Sequence, residues 1–85
     1  MYSAEISATS ERFLKKLPRK DAERILEKLQ SIRDEPLRYV VRLKGTRLWK
    51  LRIGDYRAEL DILIHGQTIF VVRIGHRRNI YAQRF

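Results

Sequence analysis

Apolar residues recur at two different periods along the chain, and these periods predict its strands and helices. Alternation over residues 2–7 predicts a short first strand. A helical period follows behind Thr9 and Ser10, which are candidate N-caps. A second helical pattern begins after Pro18 and ends at Pro36. Pro18 can open this helix because a proline at the first helical position loses no hydrogen bond. The two helices are therefore expected to form a hairpin with one joint apolar face.

Four further runs of strand character fill most of the remaining chain. They cover residues 38–43, 47–53, 56–64 and 69–75, with short glycine-containing connections of hairpin length between them. A strand, two helices and a strand meander form an α+β pattern with the helices on one face of the sheet. Residues 1–85 are therefore predicted to be one domain, an N-terminal strand and a two-helix hairpin packed on one face of a small, mainly antiparallel sheet.

Side-chain alternation sorts the strand residues between the two faces of the predicted sheet. The face expected to lie against the helices is almost wholly apolar and takes Tyr39, Val41, Leu43, Trp49, Leu51, Ile53, Tyr56, Ala58, Leu60, Ile62, Ile64, Phe70, Val72 and Ile74. The opposite face takes Arg38, Arg42, Lys50, Arg52, Arg57, Glu59, Asp61, Arg73 and Arg77. One face is thus predicted to be core and the other charged.

The register of the predicted hairpins brings like charges together. A two-residue turn at Gly54-Asp55 and a three-residue connection at 66–68 give the cross-strand pairs Arg52–Arg57, Arg57–Arg77, Lys50–Glu59 and Asp61–Arg73. No carboxylate is predicted beside the three arginines, and like charges directly opposite each other destabilise a sheet by ~0.2–1 kcal/mol. The row therefore favours binding of an anion, most simply a phosphate held by bidentate guanidinium groups. A solvated basic face without a specific ligand is the alternative.

Three apolar residues share the far end of this charged face in the predicted register, namely Leu63, Ile69 and Val71. If they are exposed, they form an apolar strip beside the cations, which suggests contact with a protein partner. Cover by the C-terminal segment of the chain is an equal alternative.

Composition strengthens the hypothesis of a polyanionic partner. The chain has 19 Lys and Arg against 10 Asp and Glu, for a formal net charge of +9. Residues 1–36 hold eight basic and seven acidic side chains (+1), whereas residues 37–85 hold eleven and three (+8). Such asymmetry is typical of nucleic-acid-binding surfaces, although a general solubility charge is the alternative.

Other classes are excluded by what the chain lacks. The absence of cysteine and the presence of only two histidines argue against disulfides and a zinc site. No apolar run approaches the ~20 residues that span a bilayer. The first residues do not resemble a signal peptide, so we expect a cytoplasmic protein.

Cleavage of RNA without metal requires a base, stabilisation of the phosphorane charge and an acid for the leaving oxygen. The histidines fit poorly, because His65 is expected at a hairpin tip and His76 on the core side of the sheet. Glu59 and Asp61 are expected to be neutralised by neighbouring cations, which disfavours two-metal chemistry. The remaining candidates are Lys50, Arg52, Arg57, Arg77 and Tyr81. Cations lower the pKa of a nearby tyrosine, whereas a packing role is the alternative for this one.

Three runs of sequence resemble the RelE/ParE toxin superfamily, and they cover residues 42–45, 48–57 and 72–81. The most specific parts are Arg-Ile-Gly-Asp-Tyr-Arg at 52–57 and Gly-His-Arg at 75–77, followed by Tyr81. The likeness spans nearly the whole chain. It implies a small sheet with two N-terminal helices on one face.

RelE-like members are toxins of type II toxin–antitoxin pairs that cleave messenger RNA in the ribosomal A site without a metal or other cofactor. The resemblance implies that Lys50 or Tyr81 is the general base and that Arg77 is the acid or charge stabiliser. Arg52 and Arg57 would hold the phosphate. Further RNA contacts are expected from Arg38, Arg42, Arg73 and Arg78.

The resemblance also implies partners and one competing function. A RelB-like antitoxin, acidic at its toxin-binding end, is expected to cover the basic face and to contact Leu63, Ile69 and Val71. The ParE branch shares the fold but poisons DNA gyrase and generally lacks the full catalytic set. Because all five positions are filled here, RNA cleavage is favoured over action on gyrase.

Overall fold

The computed structural model describes residues 1–77 and has the predicted α+β architecture. Its elements are β1 (Ser3–Ile6), α1 (Ala8–Lys16), α2 (Arg19–Ser31), a 3₁₀ turn (Pro36–Arg38), β2 (Val41–Arg42), β3 (Trp49–Ile53), β4 (Tyr56–Leu63) and β5 (Thr68–His76). The five strands form one sheet in the order β1-β5-β4-β3-β2. Only β1 and β5 run parallel, so the prediction of a mainly antiparallel sheet is confirmed.

The ends of the helices differ from the predicted ones. Ser7, rather than Thr9 or Ser10, caps α1, and its hydroxyl accepts a hydrogen bond from the backbone N–H of Ser10 at 3.1 Å. The second helix stops at Ser31 instead of continuing toward Pro36, which begins the 3₁₀ turn. Because this turn takes up part of the predicted strand 38–43, only two residues remain in β2.

The core lies between the helical hairpin and one face of the sheet, as predicted. Ile25, Leu29 and Ile32 from the second helical segment are almost fully buried against Leu51 and Leu60 of the sheet. Burial of such side chains contributes roughly 1.5–3 kcal/mol each. Within residues 1–77, neither helix is long and apolar enough to cross a lipid bilayer.

Three residues assigned to the core face are exposed instead: Tyr39, Val41 and Ile64. Val41 pairs with Lys50, and paired residues share a face, so its side chain lies on the face opposite the helices. Tyr39 follows the 3₁₀ turn, and Ile64 lies in the loop after β4. Alternation fails for Tyr39 and Ile64 because they lie outside the observed strands. It fails for Val41 because the short β2 turns this side chain to the opposite face.

A bulge in β5 changes the register of the last hairpin. Glu59 pairs with Arg73, but the next residue, Leu60, pairs with Val71, so that Val72 is the extra residue of the bulge. Ile69 and Val71 therefore face the helices and are completely buried. The prediction that these two residues form an exposed strip for an antitoxin is wrong, because the bulge turns them into the core.

Two serines at the start of α1 hold the bulged segment. Ser7 donates a hydrogen bond from its hydroxyl to the carbonyl oxygen of Val72 at 2.8 Å. The fully buried Ser10 donates likewise to the carbonyl oxygen of Val71 at 3.2 Å. The carbonyl oxygen of Val71 also accepts a hydrogen bond from the backbone N–H of Ser7 at 3.0 Å, so three bonds join the start of α1 to the bulged segment. The start of the first helix thus stabilises the register of a strand more than 60 residues later in the chain.

Candidate functional site

The face of the sheet opposite the helices carries most of the predicted cations. β3 presents Lys50 and Arg52 there, across from Glu59 and Arg57 of β4, which confirms both predicted pairs. The short turn between these strands makes their register predictable. We use the name cationic face for Lys50, Arg52, Arg57, Arg73 and Arg77.

Two predicted pairs on this face are wrong because of the bulge in β5. Arg57 lies across from Gly75, not Arg77, and Arg73 lies across from Glu59, not Asp61. Asp61 is neutralised differently from the prediction, since it accepts a hydrogen bond from the guanidinium of Arg47 at 2.6 Å. Glu59 is consequently flanked by Lys50 on one strand and Arg73 on the other.

Arg57 is the buried centre of the cationic face, with only 8% of its surface exposed. Burial lowers the pKa of its guanidinium below the ordinary value, and the positive charges of Arg77 and Arg52 lower it further. Glu59 acts in the opposite direction and raises this pKa. The three arginines predicted to form a row are therefore electrostatically coupled, although Arg77 is not the cross-strand neighbour of Arg57.

The turn between β3 and β4 contacts both the segment that follows β5 and the helix α2. The backbone N–H of Arg77 donates a hydrogen bond to the carbonyl oxygen of Asp55 at 2.8 Å. Gly54 has a φ of +60°, and a Cβ there would lie 2.8 Å from the guanidinium of Arg24 on α2. The positive φ favours glycine at this position, whereas the guanidinium of Arg24 is the end of a flexible side chain and could move aside.

Tyr56, the first residue of β4, lies on the helix side of the sheet and contacts both helices and β5. Its hydroxyl donates a hydrogen bond to the carboxylate of Asp21 on α2 at 2.8 Å. Its ring meets Phe13 of α1 and His76 of β5 edge-on, with ring centres 6.2 and 5.6 Å away. His76 lies on the core side, as predicted, one residue before Arg77. Our sequence reasoning missed this contact between Tyr56 and Asp21, because nothing in their spacing brings residues 35 positions apart together.

Replacing Tyr56 by phenylalanine is expected to destabilise the protein by about 1 kcal/mol at neutral pH, because a hydrogen bond to a carboxylate is lost. The melting temperature would fall by about 4–8 °C. The bond to Asp21, followed by burial and the charges of Asp21 and Asp55, raises the pKa of Tyr56 above 10.0. The hydrogen bond from Tyr56 to Asp21 therefore contributes its full stabilisation below pH 10. This stabilisation disappears as the pH rises through the pKa of Tyr56 in the folded protein.

Thermal unfolding followed by circular dichroism at neutral and strongly alkaline pH measures this effect. Tyr39→Phe is the matched control, because Tyr39 is exposed and its hydroxyl makes no hydrogen bond to another residue of the described chain. Its contact with the ammonium of Lys28, 5.4 Å from the ring centre, needs only the ring. Equal effects of the two substitutions, or a Tyr56→Phe deficit that persists at high pH, would contradict the assigned role of the bond.

The other predicted RNA-contacting residues divide into three groups. Arg73 is on the cationic face. Arg38 lies in the 3₁₀ turn, with its guanidinium 3.9 Å from the carboxylate of Glu35. Arg42 pairs with Trp49, and its guanidinium lies 4.9 Å from the centre of that ring. The prediction that these two arginines share the cationic face is therefore wrong. Arg78 and the proposed base Tyr81 lie outside the described residues. The pattern failed for Arg38 and Arg42 because the segment before β3 forms a turn and a very short strand.

Of the three apolar residues assigned to an antitoxin contact, Leu63 is the one that remains accessible, with 43% of its surface exposed. It lies at the end of β4, on the same face as Asp61 and Glu59. In the described part of the chain, no group of three or more His, Cys, Asp or Glu residues is placed to hold a metal ion.

Solved structures of toxins share this fold. A chain of the toxin–antitoxin complex RelBE2 from Mycobacterium tuberculosis is 28% identical, with a TM-score of 0.79 over 89% of this chain and 91% of that chain. The archaeal RelE–RelB complex from Pyrococcus horikoshii gives 26% identity and a TM-score of 0.77, covering 89% and 94% of the two chains. The isolated RelE toxin of E. coli, at 18% identity and a TM-score of 0.76 over 99% and 95% of the chains, shows the similarity of the fold alone.

These likenesses agree with the class that the sequence motifs indicated, the RelE/ParE toxin superfamily. The sequence profile of the ParE toxin of type II toxin–antitoxin systems matches residues 4–81, so the chain belongs to this family of toxins. No curated protein sequence matches closely enough to add a further relative.

Proposed function

We propose that this toxin is a metal-independent endonuclease that cleaves messenger RNA in the ribosomal A site and so inhibits translation. The observation that carries the proposal is the grouping of three arginines beside Lys50 on one face of the sheet: Arg52 lies directly across from Arg57, and Arg77 is near enough to lower the pKa of Arg57. Guanidinium groups bind phosphate oxygens in bidentate fashion, and a cluster of three matches the charge of a phosphorane better than that of a single phosphodiester.

The roles in this proposal follow from position. Arg57 is buried and surrounded by the sheet, so its charge is held in place before the substrate arrives, as charge stabilisation of a transition state requires. Arg52 and Arg77 are exposed beside it and contact the phosphate from solvent. Lys50, or Tyr81 beyond the described residues, removes the proton of the 2′-hydroxyl, whose oxygen attacks the phosphorus. Arg77 donates a proton to the leaving 5′-oxygen or stabilises its charge until water protonates it. The product then carries a 2′,3′-cyclic phosphate or a 3′-phosphate.

A RelB-like antitoxin is the proposed protein partner. Two of the similar structures are complexes of a toxin with its antitoxin, and the excess of positive charge here favours an acidic partner. The exposed Leu63, at the margin of the cationic face, is an apolar contact point for it. Action on ribosomes requires that the protein work in the cytoplasm.

Mapping of transcript ends after induced expression tests the proposed function. We expect new 5′ ends within coding regions, at positions that require translation of the message. Blocking translation initiation on a reporter message is the control, since cleavage should disappear from that message alone. Growth arrest with intact messages would rule the nuclease out.

Poisoning of DNA gyrase is the second candidate, and the match of residues 4–81 to the ParE family favours it. In that case the cationic face binds gyrase or its DNA without cutting RNA. Plasmid topology analysed in the same induced cultures distinguishes the two functions. Relaxed or cleaved plasmid together with unharmed messages would support action on gyrase.

A further inference from the structure

A pocket of about 410 Å³ lies on the helix side of the sheet, between α2 and the end of β3. It is lined by Arg24, Glu27, Lys28, Ser31, Arg52, Ile53 and Gly54. Its volume is within the ~300–1,000 Å³ typical of small-ligand sites. The lining residues include Arg24, Glu27 and Lys28 from α2 and Arg52 from β3, so basic residues outnumber acidic ones.

Two cations of this pocket, Arg24 and Lys28, lie against neighbouring parts of the structure. Arg24 and Lys28 are one helical turn apart on α2 and therefore share a face. The guanidinium of Arg24 occupies the space left by the missing side chain of Gly54, and the ammonium of Lys28 lies over the ring of Tyr39 at 5.4 Å. Over residues 1–77, no carboxylate lies within 4.0 Å of the charged atoms of Arg24, Lys28 or Arg52.

The pocket is continuous with the cationic face through Arg52, which belongs to both. β2 pairs only with Trp49 and Lys50, so Arg52 and its neighbours in β3 have no strand on that side. Where the two surfaces meet, β3 is therefore the last hydrogen-bonded strand of the sheet. A flexible polyanion bound on the cationic face can pass around this edge into the pocket.

We propose that the pocket is a second phosphate-binding site, which takes a backbone phosphate of the RNA strand whose scissile phosphate lies on the cationic face. The inference rests on the proposed function and extends it, because it makes the substrate a single strand that contacts two separate surfaces of the toxin. Arg24 and Lys28 bind the second phosphate, and Arg52 lies between the two. A free phosphate or a mononucleotide shares the same chemistry and is the other source of such a group.

Binding of fluorescent, uncleavable 2′-O-methyl oligonucleotides to the purified full chain tests this proposal. Anisotropy titrations compare a dinucleotide, which reaches only the cationic face, with a hexanucleotide, at several salt concentrations. Each phosphate contact to a single strand contributes about 0.7 to the slope of log affinity against log salt. We expect Arg24→Gln with Lys28→Gln to remove this one phosphate contact, which lowers the hexanucleotide slope by about 0.7 and its affinity by about tenfold or more, with the dinucleotide unchanged.

Lys16→Gln with Lys20→Gln is the matched control, because it removes the same charge from exposed helical positions that do not line the pocket. Arg24→Lys with Lys28→Arg keeps the charge and should retain the slope, which separates loss of phosphate binding from loss of structure. The proposal is overturned if the control pair lowers the slope as much as the pocket pair, or if the pocket pair leaves the hexanucleotide unaffected.

A titration with inorganic phosphate, followed by the amide resonance of Gly54, distinguishes the two sources of the phosphate group. A saturable shift that the hexanucleotide suppresses, and that the pocket pair abolishes, supports the strand. A saturable shift with identical hexanucleotide binding in all variants indicates a site for free phosphate and overturns the proposal. Because the oligonucleotides cannot be cleaved, these outcomes do not depend on the transcript mapping, and absence of cleavage in cells would count against the proposed nuclease alone.

Discussion

Replacing Arg77 by alanine is expected to remove most of the RNA cleavage while the fold stays intact. The side chain of Arg77 is exposed, and its known structural contact is made by the backbone N–H, which alanine keeps. Loss of one preorganised group that stabilises developing charge typically costs about 10²–10³ in rate. Sequencing of transcript ends at matched protein levels measures the loss, and a melting curve of the purified variant checks the fold.

Arg12→Ala is the matched control for this substitution, because Arg12 is an exposed arginine on α1, away from the cationic face. It removes the same charge and should leave the pattern of transcript ends unchanged. Arg77→Lys retains the charge but not the planar, bidentate guanidinium, so we expect intermediate cleavage. Full cleavage by the alanine variant would show that the site is assigned wrongly, even if the protein is a nuclease.

The part of the site that was predictable from the sequence depends on local geometry. Gly54-Asp55 joins two strands by the shortest common connection, so the pairing of Arg52 with Arg57 follows from the turn alone. Alternation within β3 and β4 then separates core from charged side chains without further information. Proline and serine signals placed the helical hairpin correctly, with errors of a few residues at its ends.

The register of β5 was not predictable in this way, because its sequence has no preferred face. Residues 69–72 are Ile-Phe-Val-Val, so either alternation buries apolar side chains. The choice is stabilised by Ser7 and Ser10, which bind the carbonyl oxygens of Val72 and Val71 from the start of α1. Such a contact depends on the tertiary structure, and a buried serine at a helix start is only a weak indication of it.

Dependence on tertiary structure also explains why the surroundings of Arg57 differ from those predicted from the sequence. Alternation assigned Arg57 to the charged face but could not show that only 8% of its surface is exposed, because this burial depends on how its neighbours pack around it. Arg77 was expected to lie across from Arg57, but it follows β5, with its N–H bonded to the carbonyl oxygen of Asp55 in the turn, and its charge still acts on Arg57 from there. The grouping of the arginines was therefore predicted for a reason that holds only in part.

Replacing Arg57 by methionine is expected to abolish cleavage and to stabilise the protein by about 1 kcal/mol. The lowered pKa of Arg57 means that its charged form is less favourable in the folded than in the unfolded protein. Because both states carry the charge at neutral pH, well below either pKa, this penalty is fully present there. Methionine fills a similar, unbranched shape without a charge, while Lys50 and Arg73 continue to flank Glu59.

Arg52→Met separates the two effects of this substitution. Arg52 is exposed and shares the cationic face, so its loss should also reduce cleavage, but it should change the melting temperature little. For Arg57→Met we expect a rise of about 4–8 °C in thermal unfolding, measured beside cleavage of a translated message. A lower melting temperature would contradict the argument that burial of this guanidinium costs stability. If instead the protein becomes more stable and inactive, Arg57 is retained for its charge at the phosphate and not for the fold.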